Sequence, residues 1–217
     1  ILGIHKEKVI YWVLLPAFLI FAFLSKQVPS SYIILSVGFL IFIFSVINKN
    51  FKYIKYIFAS FLFLLLCFIS LGKLSGIDLN SFLVQYIFFP PSIGLKRFIN
   101  YELTFNGIVG HYKFIYLGMI PMFYVNIKKI ISSSEYVYQK EFFYFLTLIV
   151  ISFSFIFHQI LTKNQIFIFF LIPILFAFSQ IYLNKLQLKN KNIFFILMVL
   201  ICLFITSKYH MRFNENR

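Results

Sequence analysis

Acidic side chains are scarce in this sequence. Six Asp and Glu stand against 20 Lys and Arg, for a formal net charge of +14. No pair of carboxylates is spaced for acid–base work. There is no Walker loop, HExxH or GxSxG, and no pair of His or Cys at metal-ligand spacing, so no cofactor or metal site is evident, and metal dependence is not read from these residues. The two cysteines, Cys67 and Cys202, sit inside apolar runs without a CxxC and read as small buried hydrophobes. No secretory n-region, h-region and cleavage site is visible, and the first residue is Ile. The expectation is a chain that lacks its true start and belongs to a longer protein.

What is present is apolar surface. The chain has 217 residues, is 61% hydrophobic and 22% aromatic, and has a mean hydropathy of +0.91. A soluble domain of that size could not bury so much of it, whereas a bilayer removes the requirement. The expectation is an integral membrane protein whose first partner is the lipid bilayer. The 33 Phe, with abundant Ile, Lys, Asn and Tyr, also match an AT-rich genome, so they do not by themselves mark an aromatic binding surface. The positive charge does not point to nucleic acid, because the cations lie in short clusters between apolar runs.

About seven runs approach the roughly 20 residues that cross a bilayer as helix. They fall near residues 9–25, 32–48, 54–72, 108–127, 142–159, 166–183 and 193–207. The fourth is the weakest, because Pro121 interrupts it and Lys113 sits just inside its start. Lys6 and Lys8 precede the first run, and Lys49, Lys52 and Lys55 follow the second. Lys128, Lys129 and Lys140 follow the fourth, and Lys185, Lys189 and Lys191 the sixth. That alternation predicts a cytoplasmic amino terminus and an outer carboxyl end, as in a bacterial inner membrane. The fold class expected is therefore all-α, a polytopic transmembrane bundle forming a single domain.

The stretch after the third run, 73–107, is patterned. Asp78 is placed to cap a helix with Leu79, Phe82, Leu83, Tyr86 and Phe89 at helical spacing and Asn80, Ser81 and Gln85 opposite. Such a helix is too short to span and is expected to lie in the interface, stopped by Pro90 and Pro91.

Two clusters on the outer side have chemical potential. Lys96 and Arg97 follow the interfacial helix and suit a lipid phosphate, a fork and a point charge; snorkelling to phospholipid headgroups is the plainer alternative. His158 opens a polar turn with Gln159, Thr162, Lys163, Asn164 and Gln165, suited to phosphate and sugar hydroxyls; a self-satisfied helix end is its plainer alternative. His111, with Lys113, Glu102 and Asn106, reads first as an interfacial anchor and second as an extension of that site. Tyr209, His210, Arg212 and Asn214 begin the outer tail.

The turn led by His158, continued by Lys163, Asn164 and Gln165 and then Phe167 to Pro173, resembles a motif of GT-C membrane glycosyltransferases. There a histidine-led polar turn, roughly H-K-E-x-R-F-x-x-x-x-P, runs into an aromatic, proline-containing helix. Here the turn is longer, and the acid and arginine of the motif are absent. The stretch FFPPSIGLKR at 88–97 is similar to outer-loop sequence of bacterial members. The resemblance implies sugar transfer from a polyprenyl phosphate donor to a lipid or glycan acceptor. Lys96 and Arg97 would take the donor phosphate, and His158, Lys163, Asn164 and Gln165 would line the pocket. It also implies a catalytic carboxylate in a large first outer loop; residues 25–31 contain no acid, so that base is expected upstream. An O-antigen ligase or polymerase type of enzyme, a transporter and an accessory subunit are the alternatives.

Overall fold

The computed structural model describes residues 1–89, 104–162, 168–186 and 191–215, the side chains of 162, 191 and 212–215 excepted. Lys96, Arg97, Glu102, Lys163, Asn164 and Gln165 lie outside the described residues. Helix is the only regular structure among the described residues, as expected. The chain divides into two compact units, Ile1–Tyr101 and Glu102–Arg217.

A helix occupies each of the seven apolar runs. Five are long and apolar enough to cross a membrane: α3 (Gln27–Ile47), α4 (Lys52–Leu74), α6 (Lys113–Ser132), α7 (Lys140–Thr162) and α9 (Lys191–Glu215). The helices on the first and sixth runs, α2 (Val9–Ser25) and α8 (Leu171–Leu183), are shorter. Short helices α1 (Leu2–Lys6) and α5 (Leu79–Leu83) complete the set.

In the first unit α2 packs mainly on α4 and also on α3. Trp12 of α2 is buried, stacked on Tyr53 with ring centroids 4.5 Å apart. Pro16 lies inside α2 and brings no N–H, so the Trp12 carbonyl four residues earlier loses its helical donor. The Ser60 hydroxyl of α4 donates to the neighbouring Val13 carbonyl at 2.6 Å and ties α4 to α2 at that turn. Ser30 of α3 donates to the Ala22 carbonyl and ties the next pair. The outward faces carry large apolar side chains, with Phe21 67%, Leu35 71% and Phe63 65% exposed. Patches of that kind are foreign to a soluble monomer and suit lipid.

The helix expected after the third run is present. Asp78 caps it, accepting from the N–H groups of Asn80 and Ser81, and the helix continues as a π turn over Val84–Phe88. The Ser81 hydroxyl bond, then the main-chain bonds of Ser81 and Asn80, hold the Asp78 carboxyl below the usual carboxylate range. One expectation is corrected. Ser81 and Gln85 do not oppose Phe82 and Tyr86; all four line one cleft, because i, i+1, i+4 and i+5 share a helical stripe.

In the second unit α6 and α8 form the core pair, with α9 packed on α8. Ile115, Met122, Val125, Ile172 and Leu175 are fully buried there. Gly118 permits the approach: a Cβ at that position would meet Phe176 at 3.0 Å and Leu175 at 3.2 Å. The fourth run also differs from expectation. The helix starts at Lys113, runs through Pro121 and ends at Ser132, so Lys128 and Lys129 belong to its last turns. A proline inside a membrane helix is tolerated because its neighbours take up the freed carbonyls.

Candidate functional site

Helix α7 carries the histidine at the centre of the sequence reading. His158 and Gln159 do not begin a water-facing turn, because α7 continues to Thr162. Both side chains are buried, 3% and 1% exposed. Ser154, four residues before His158, and Ser152, seven before Gln159, are buried too. The four are buried in two stripes, Ser154 with His158 and Ser152 with Gln159, so α7 becomes polar inside toward its carboxyl end. The sequence reading passed over the two serines. Their signal was present as hydroxyls at helical spacing from the His–Gln pair.

Ring contacts set the levels of the helices along α7. Phe123 meets Phe145 at 5.1 Å and Tyr116 meets Phe153 at 6.4 Å, so α6 and α7 run antiparallel. Phe145 meets Tyr182 at 6.5 Å and Phe155 meets Phe170 at 5.5 Å, so α8 runs antiparallel to α7 as well. Helix α8 therefore begins at the level of Phe155, about 10 Å short of the carboxyl end of α7 at 1.5 Å per residue. His158 and Gln159 lie one turn beyond that starting level.

Among the described residues the sixth run is helical from Leu171. Its 13 residues give about 20 Å against about 30 Å of hydrocarbon. Ile168–Phe170 forms a turn in which Leu171 N–H donates to the Ile168 carbonyl and Ile172 N–H to that of Phe169. Pro173 stands in the first turn of α8, where its missing N–H removes nothing.

The same end gathers other candidates. Tyr209 of α9 stacks on Phe169 at 3.6 Å and meets Phe114 edge-on at 6.0 Å. His111 and Lys113 start α6 there, half-buried and exposed respectively. Tyr116 donates its hydroxyl to the Ile108 carbonyl and fastens the π turn Asn106–Gly110 to α6. The structure therefore brings His111, His158, Tyr209 and His210 to one end of the second unit. Tyr209 and His210 lie within α9 rather than in a tail.

The opposite end holds a polar network that the sequence reading missed. Glu141 pairs with Lys129 at 2.8 Å through one carboxylate oxygen and with Lys185 at 2.5 Å through the other. The Tyr182 hydroxyl donates to the Glu141 carbonyl, and the Tyr136 hydroxyl to the buried Asn126 amide oxygen, each at 2.7 Å. Asn126 in turn donates to the Met122 carbonyl. With both oxygens engaged by lysines, Glu141 is a clamp joining α6, α7 and the end of α8 rather than a general base. Its signal was an acid one residue inside a lysine-flanked helix start.

Among the described residues no group of three His, Cys, Asp or Glu side chains is placed to hold a metal ion. No family model matches the chain, and neither a curated protein nor a solved structure proves similar to it.

Proposed function

We propose that this chain is the membrane part of a glycosyltransferase that moves a sugar from a polyprenyl phosphate donor to a lipid or glycan acceptor at the outer face. The observation that supports it is the buried His158–Gln159 pair, one turn beyond the start of the short helix α8. The amino-terminal end of a helix carries partial positive charge and favours anions. A histidine donor and an amide at the same end suit a phosphate with a sugar attached. In this reading Lys96 and Arg97 hold the donor phosphate, and Lys163, Asn164 and Gln165 extend the pocket, with Glu102 and His111 at its edge. The catalytic carboxylate would come from sequence upstream.

The test uses the full-length product of the gene in liposomes with a radiolabelled polyprenyl-phosphate sugar. Replacing Lys96 and Arg97 together by Ala should abolish transfer with membrane insertion intact. His158→Ala should lower it at least about a hundredfold, the lower end of the usual scale for a positioned proton donor. Unchanged turnover in both variants refutes the assignment.

One observation favours a second reading, a transporter. Transporters place substrates beside broken or short helices at mid-membrane. Helix α8 is short and central, and Ser152 is a buried hydroxyl near the middle of α7. Substrate accumulation in sealed vesicles with no transferase activity would select that reading.

A further inference from the structure

The first unit contains a cleft of about 390 Å³ where α5 and its π turn meet the ends of α2 and α4. That volume lies in the range of small-molecule sites. Two kinds of side chain line it. Phe82 stacks on Tyr86 at 4.7 Å and meets Phe68 at 5.1 Å with the rings tilted, so three aromatic rings form one wall. Asp78, Ser81 and Gln85 supply the polar side.

Asp78 is one of only six acids in a chain of net charge +14. Among the described residues no Lys or Arg pairs with it; its partners are the main-chain N–H groups of Asn80 and Ser81 and the Ser81 hydroxyl. Three of these bonds go to a carboxylate with about four acceptor positions, and the bond of Oδ1 is the longest at 3.2 Å. A carboxylate therefore shares a cleft with three aromatic side chains and meets no Lys or Arg among the described residues.

We infer that this cleft binds an organic ammonium group, the cation seated against Phe68, Phe82 and Tyr86 and facing the Asp78 carboxylate. Ring faces attract a cation through their quadrupole, and substituted ammonium suits them because its methyl groups also bury apolar area. A small metal cation holds its hydration shell tightly and brings no apolar surface to bury against the rings, and an anion would meet Asp78. The cap bonds that hold its carboxyl below the usual range keep Asp78 ionised. Such an ammonium group can belong to an amine-bearing lipid headgroup or to a free amine. The inference is independent of the glycosyl-transfer reading, which rests on residues of the second unit and on Lys96 and Arg97.

The experiment uses the full chain in nanodiscs of phosphatidylglycerol, which carries no amine. Binding of choline is compared with its neutral isostere, 3,3-dimethylbutanol, by saturation-transfer NMR titration. Choline should bind saturably and at least about tenfold tighter than the isostere, the scale of a partly desolvated cation–π contact. Asp78→Asn keeps a good helix cap and removes only the charge; it should weaken choline about tenfold and leave the isostere unchanged. Phe82→Leu should weaken choline by a similar factor with helicity preserved in circular dichroism. Repeating the titration in phosphatidylethanolamine nanodiscs separates the sources. Competition by that lipid assigns the headgroup, and undiminished choline binding assigns a soluble amine. Either result sustains the site. Equal affinity for choline and the isostere, an Asp78→Asn variant that binds choline as before, or no saturable choline binding overturns it.

Discussion

The hydroxyl of Ser179 on α8 donates to the main-chain carbonyl of Gly118 on α6, at the point where α6 and α8 press closest. A small residue and an interhelical hydroxyl bond at one contact are how helices associate in lipid, where hydrophobic burial gives no preference for protein over acyl chain. The Cβ of Gly118→Ala would force Phe176 to yield, and Gly118→Val more so. The valine variant should lose about 1–3 kcal/mol of stability, the usual cost of overpacking. Ser179→Ala should lose only about 0.6 kcal/mol, the mean for such bonds in membrane proteins. Unfolding in mixed micelles checks both, and equal losses would refute the packing account.

Glu141 is held between Lys129 and Lys185, and all three are about one-third exposed. Partial exposure limits what the clamp contributes. Glu141→Gln should cost on the order of 1 kcal/mol at low salt and less at high salt, because screening weakens the pairs it removes. Thermal unfolding at low and high ionic strength reads the difference. A salt-independent loss would mean that the side chain acts by packing alone.

Tyr136 lies in the connection between α6 and α7, its ring buried and its hydroxyl on Asn126. Burial first, and the Glu141 charge second, push its pKa from 10 up to about 12. The folded state therefore favours the protonated phenol, and its contribution is complete below pH 10. It is lost as the pH rises from 10 through about 12, where the unfolded chain releases the proton more readily. Tyr136→Phe should flatten the fall in stability across that window. At neutral pH the same variant should be weaker by about 1 kcal/mol for the lost hydrogen bond. Unfolding midpoints from pH 8 to 12 test both statements.

The Gln159 side-chain oxygen is buried without a hydrogen-bond partner among the described residues. Such an acceptor costs about 1–3 kcal/mol when nothing occupies it. Gln159→Leu should therefore leave stability unchanged or raise it by about 1 kcal/mol, and under the proposed function it should lower sugar transfer. A variant both less stable and fully active would make Gln159 a structural residue.

How much was legible follows from where each signal lies. Asp78 announced its cap because an acid before a run of helical spacing satisfies N–H groups two and three residues on, a purely local matter. The short helix α8 was misjudged because hydropathy extends back to Ile166, whereas the helix begins where the Ile168–Phe170 turn and Pro173 allow. Pro121 was taken as an interruption, since the neighbours that tolerate a proline lie far away in sequence. The site was half visible. His158 stood out, but its burial beside Gln159, Ser154 and Ser152 depended on which face of α7 turned inward.

The sequence by itself determined the helical class and the places of seven apolar runs, each of which carries a helix among the described residues, because hydropathy and local hydrogen bonding act over a turn or a span. The tertiary structure alone decided that Gly118 meets Ser179, that Glu141 answers two lysines from different helices, and that Asp78 shares a cleft with three rings. Those relationships join residues far apart in the chain, and only packing between helices brings such atoms within reach.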